Sequence, residues 1–146
     1  MADAPLGKLS LVVQSGDFGK VHYALVIAAA AAAVGRPVTL FFTMGALNAL
    51  RKADPRGLPG WRAMAVDGRP GAAAALDDGF AAKGVATFEE LLSSSVELGV
   101  RFMVCDMGLR ALGIGREDLR ADVPVETGGV VTFLNDARAD GAVLFI

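Results

Sequence analysis

The chain is poor in the residues from which disulfides and metal sites are built. Its 146 residues hold one cysteine, Cys105, and one histidine, His22. A single thiol cannot close an intramolecular disulfide. A structural zinc site made from one Cys and one His would need carboxylates from elsewhere, so neither metal nor cofactor is expected. No basic block exists either: Arg36, Arg51-Lys52, Arg62 and Arg69 are scattered, and the formal net charge is −2. A nucleic-acid binder needs a concentrated basic face, so none is expected here. Long apolar runs are also missing. As a helix, Tyr23 to Val34 would rise about 18 Å, short of the roughly 30 Å of a bilayer's hydrocarbon core. The 53% hydrophobic content therefore reads as core plus a surface buried in a homo-oligomer, not as a membrane span. Met1 to Pro5 contains no basic segment leading into an apolar one, and the expected location is the cytoplasm, which suits an unpaired thiol. Phosphate-loop fingerprints fail as well. Ser15-Gly16-Asp17-Phe18-Gly19-Lys20 has two residues between its glycines and Val21 after the lysine; a Walker A loop needs four, then Ser or Thr. No GxGxxG pattern follows the first apolar run.

What is present is an alternation of short apolar runs and helical segments. Lys8–Gln14 and Val38–Phe42 read as strands, the second buried on both faces; Val100–Cys105 and Ala142–Ile146 read the same way, and Pro124–Glu126 as a short strand. Between them, alanine-rich Lys20–Val34 favours helix and meets a stop at Gly35-Arg36-Pro37. Short helices are expected over Met44–Lys52, Ala72–Lys83, Gly108–Leu112 and Val130–Ala139, with a turn at Arg116–Leu119. Thr87 with Glu90 three residues on offers a capping box for a helix ended by Gly99. Residues 53–71, broken by Pro and Gly twice, have no determined structure from sequence. Such alternation implies right-handed crossovers. The expectation is one α/β domain over residues 1–146, a three-layer sandwich around a mostly parallel sheet of about five strands, with a flavodoxin-like strand order.

In such sheets ligands bind at the carboxyl edge. That edge would gather Ser15–Lys20, Thr43–Asn48, Cys105–Gly108 and Thr127–Gly129, each containing glycine. Candidate lining residues are Ser15, Gly16, Lys20, His22, Thr43, Asn48, Asp106, Gly108, Thr127 and Gly128. Glycines there either let backbone N–H groups approach a ligand or simply make tight turns. Cys105 likewise has two readings: a reactive thiol at a strand's end, or a small buried hydrophobe. Asp106 places a negative charge beside it. His22 is either a base or orienting group near the thiol or a partly exposed helix residue.

Taken together, several segments resemble the DsrE/DsrF-like family of small sulfurtransferase and sulfur-relay proteins. Phe41-Phe42-Thr43-Met44-Gly45-Ala46-Leu47-Asn48-Ala49-Leu50-Arg51-Lys52 is similar to that family's FFTFWGLNLLRK-type segment. Phe88-Glu89-Glu90-Leu91-Leu92 through Leu98-Gly99-Val100 to Met107 is similar to its helix, strand and cysteine block. Leu112-Gly113-Ile114 and Glu126-Thr127-Gly128-Gly129-Val130-Val131-Thr132-Phe133-Leu134 follow further patterns. The resemblance implies a flavodoxin-like oligomer whose Cys105 carries sulfur as a persulfide, exchanged with rhodanese-like or TusA-like partners. It departs after the cysteine: Asp106-Met107-Gly108-Leu109-Arg110 stands where relatives often carry Met-Ser-Met-Asp. The competing expectation is a non-catalytic binding or assembly subunit whose thiol is incidental.

Overall fold

The computed structural model describes residues 7–146; the amino-terminal segment read above for a leader lies outside them. Five parallel strands form one sheet: β1 (Leu9–Val13), β2 (Val38–Phe42), β3 (Arg101–Cys105), β4 (Val125–Gly128) and β5 (Ala142–Phe145). Five α-helices accompany them: α1 (Phe18–Ala33), α2 (Ala73–Ala82), α3 (Phe88–Glu97), α4 (Asp106–Leu112) and α5 (Val130–Asp136). The α/β class and the parallel sheet are as expected. The order β4-β3-β2-β1-β5 differs from the 2-1-3-4-5 order of flavodoxin itself. Here the chain steps β1 to β4 in one direction and then returns past them all to place β5 beside β1.

That path decides which face each helix covers. Right-handed crossovers put helices of the first three connections on one face and the helix of the returning connection on the other. Side chains alternate accordingly. Leu9, Leu11, Val13, Val38, Leu40, Phe42, Phe102 and Val104 join the large core with Val21, Ala24, Leu25 and Ala28 of α1, Phe88 and Leu92 of α3 and Leu109 of α4. Phe41, Met103 and Cys105 point the other way and meet Phe133 of α5 in a small separate cluster. Phe41 and Phe133 stack with ring centroids 5.1 Å apart.

Residues 53–71 turn out to belong to the core. A 3-10 turn at Gly60–Ala63 buries Trp61, and Met64 and Val66 are buried after it. The indole lies 5.2 Å from Phe18 and 5.1 Å from Phe88, centroid to centroid. Its Nε1 donates to Glu89 at 2.6 Å, satisfying the polar handle that a buried tryptophan brings with it. Arg120 donates to both Glu89 oxygens, at 2.7 and 2.8 Å, and this hydrogen-bonded guanidinium holds the Glu89 carboxyl below its ordinary range.

Other boundaries shift for local reasons. Met44–Leu50 is a 3-10 helix, not an α-helix. α4 begins two residues early because Cys105 itself caps it. Thr127 and Gly128 extend β4, in register with Val104 and Cys105, and so are strand, not loop. α5 stops at Asp136 instead of continuing to Ala139. The reason is the place Asp136 occupies: its carboxylate accepts from Lys8 Nζ, from Thr39 Oγ1 at 2.7 Å and from the Arg101 guanidinium. Side chains from β2, β3 and the residue just before β1 thus converge on the helix's last residue.

Burial pushes the Asp136 carboxyl up, but the hydrogen bonds from Lys8 and Thr39 and the charges of Lys8 and Arg101 outweigh it and leave it below its ordinary value. Asp136→Asn should destabilise the fold by about 2–3 kcal/mol, because nearly buried Lys8 loses its counter-charge. The difference between wild type and variant should be full above about pH 4, the unfolded carboxyl's value, and shrink as pH falls through the lower folded one. Urea melts of both proteins between pH 2 and 7 check it; a difference independent of pH would contradict it.

Candidate functional site

Three of the four expected segments meet at the carboxyl edge through glycine. A Cβ on Gly45 would lie 2.8 Å from Gly16 Cα, and one on Gly108 would lie 2.8 Å from Met44 N and 2.9 Å from Thr43 Oγ1. The segments that follow β1, β2 and β3 are therefore in close contact at these glycines, closer than any larger residue permits. Met44 in this seam has φ +48°, a left-handed conformation uncommon outside glycine. Ser15 Oγ accepts from Asp17 N at 3.0 Å and so shapes its own turn. Buried Thr43 borders Gly108, and Gly128 pairs with Cys105 from the fourth segment.

Cys105 ends β3 and caps α4, its Sγ accepting from Gly108 N at 3.5 Å. This hydrogen bond and the β4 register fix where the sulfur sits. The residue is only 1% exposed, closed over by Phe41, Met103 and Phe133. Asp106 projects outward and forms an exposed i,i+4 pair with Arg110 at 3.7 Å, which partly answers its charge.

Other candidates lie elsewhere. His22 packs in the opposite layer, between the rings of Phe18 and Phe80, with Nε2 2.8 Å from the Ala86 carbonyl. It does not reach the thiol, because α1 and Cys105 cover different faces of the sheet. Lys20 is exposed on α1, its backbone N–H held by Asp17 at 3.3 Å. Thr127 Oγ1 is taken by the Arg116 guanidinium. Asn48 is bound to Gly45 O and to Arg51, at 3.1 and 2.9 Å. Among the described residues, no three His, Cys, Asp or Glu side chains gather where they could hold a metal ion. What the sequence reading missed is the apolar cover. Alternation along β2 and β3 places Phe41 and Met103 beside Cys105, but only the returning crossover brings Phe133 over them.

A family model described as "DsrE/DsrF/DrsH-like family" matches residues 6–59 and 63–145. The chain belongs to that family. It is 28% identical over 156 aligned positions to the uncharacterized protein YrkE of Bacillus subtilis (strain 168), covering 95% of this chain and 96% of that one. Two solved structures share the fold at 16% identity. One is protein MTH1491 of Methanobacterium thermoautotrophicum, described as of unknown function, with TM-score 0.61 over 96% of this chain and 99% of that one. The other is the ychN protein of E. coli, with TM-score 0.55 over 97% and 100%.

The glycine seam yields a prediction. Gly108→Ala must push Met44 and Thr43 aside, with a destabilisation of about 1–3 kcal/mol. It should also move the N–H that bonds Sγ. Thermal melts give the first effect and the rate of Cys105 alkylation the second; a variant as stable as wild type would show that the seam yields freely.

Proposed function

We propose that this DsrE/DsrF/DrsH-like protein relays sulfane sulfur as a persulfide on Cys105. The observation that carries this reading is the position of its lone thiol: at the carboxyl end of a central strand, capping a helix, with a backbone N–H donated to sulfur. A thiolate is the nucleophile in sulfur exchange, and the donated N–H holds the sulfur in one orientation. The Cys105 thiolate attacks the outer sulfur of a donor persulfide, R–S–SH. The donor's S–S bond breaks, its inner sulfur leaves as thiolate, and Cys105–S–SH forms. An acceptor thiolate repeats the attack on that outer sulfur and regenerates Cys105. No net oxidation occurs in either step.

The burial of Cys105 adds a condition. Phe133 must move before a partner's sulfur can approach, so α5 acts as a cover. Its far end is tied down by Asp136, while Gly128 and Gly129 lead into its near end beside the thiol. Val130, Val131 and Leu134 on α5 and Val143 and Phe145 on β5 are exposed apolar residues, Phe145 at 70%. They support self-association and docking of sulfur-carrier proteins of the rhodanese-like or TusA-like kind on this side. On this reading the chain works as one domain in the cytoplasm.

The same burial favours a second reading, an assembly or binding subunit with an incidental thiol. Two measurements separate them. Treated with a low-molecular-weight persulfide, wild type should gain one sulfur in intact mass, removable by reductant, and Cys105→Ala should gain none; equal gain in the variant overturns the relay. Phe133→Ala should speed native-state alkylation of Cys105 by about tenfold or more, the effect of lowering a local opening free energy by about 1.4 kcal/mol. Should Cys105 stay inert in both proteins while Cys105→Ser assembles normally, the second reading stands.

A further inference from the structure

A cleft of about 360 Å³ opens at the carboxyl edge beside the glycine seam, lined by Gly16, Asn48, Arg51, Gly60, Met64 and Ala65 among others. None of the residues around Cys105 takes part in it. Its one charged lining residue is Arg51. This side chain is partly buried, and among the described residues it pairs with no carboxylate. Its Nε donates to Asn48 Oδ1 at 2.9 Å, and Asn48 Nδ2 donates in turn to Gly45 O at 3.1 Å. The amide therefore fixes the plane of the guanidinium and spends one donor of five. The two Nη groups make no hydrogen bond to the described protein.

Backbone forms part of the lining. A Cβ on Gly60 would collide with Arg51 Cβ at 2.5 Å, so glycine there lets the main chain pack directly against the root of Arg51. Gly16 leaves the main chain exposed at the cleft's mouth. Asp17, next to Gly16 in the chain, is already engaged by Lys20 N and Asp67 N, at 3.3 and 2.6 Å. An adjoining cleft of about 440 Å³ shares Arg51 and adds Lys52; its carboxylates, Glu89 and Asp122, are both held by Arg120. A positive fork that is oriented, partly desolvated and left without a counter-charge matches an oxyanion.

We infer that the Arg51 cleft binds a small tetrahedral oxyanion, either free or as the terminal group of a larger ligand, with Asn48 positioning the guanidinium. The site is independent of the sulfur-relay reading. Titration with inorganic phosphate at low ionic strength, followed by amide chemical shifts, tests it. Wild type and Cys105→Ala should bind one phosphate saturably, with the largest shifts at Gly16 and Ala65. Arg51→Gln should bind at least about tenfold more weakly, as loss of a charge-assisted pair implies. Arg51→Lys, which keeps the charge but not the fork, should also weaken it, and serves if the glutamine variant does not fold. Non-saturable shifts, shifts centred elsewhere, or undiminished binding in a folded Arg51 variant would overturn the inference.

Discussion

Because the connection from β4 to β5 runs back across the whole sheet while the three before it step the other way, right-handedness leaves α5 alone on its face among the described residues. Everything distinctive about the thiol's surroundings follows. Cys105 is the last residue of a strand whose side chains alternate, and alternation turns it away from the large core toward α5. Had the last crossover stepped onward beyond β4, Phe133 would not lie over Phe41, and the sulfur would open to solvent. The topology, more than any local motif, makes this a covered thiol.

A helix of two turns has little hold on a sheet. From α5 only Phe133 is fully buried, while Val130, Val131 and Leu134 remain exposed. Burying one phenylalanine contributes roughly 2–3 kcal/mol, too little to order a segment of this length unaided. The Asp136 cluster supplies the rest and does so at one end. Its net contribution is limited by the desolvation of Lys8 and of the carboxylate itself. Its geometric effect is large, since charge-assisted bonds to Lys8, Thr39 and Arg101 admit one register of α5 against β2, β3 and the entry to β1.

How much of this could be read from the sequence follows from how local each cause is. Val38–Phe42 is apolar throughout and was recognisable as a doubly buried strand; Thr87 with Glu90 marked the start of α3, where Thr87 Oγ1 does accept from Glu90 N at 3.3 Å. Trp61 gave no such signal. Its segment lacks any period, and its burial depends on Phe18 and Phe88, which are distant in the chain. His22 shows a different limit: composition leaves it either near the thiol or partly exposed on its helix, and the aromatic rings of Phe18 and Phe80 instead bury it on the face away from Cys105. Thr127 and Gly128 look like turn residues by composition, and β-pairing with Val104 and Cys105 overrode that preference.

The unequal layers also divide rigidity from mobility. Aromatic rings, α1 and α3 fill one face with a continuous core that includes Trp61 and Phe88, and opening it would mean unfolding the protein. The other face is closed by a cluster of four buried apolar side chains and a tether at the end remote from the thiol. Sub-global opening draws on the regions with fewest buried contacts, so α5 can leave Cys105 while the glycine seam, anchored through Gly108, Thr43 and Gly45 to the rigid side, stays in place. The thiol is thus hydrogen-bonded from the side of the large core and covered from the side of the small cluster, so its anchor and its access rest on different layers.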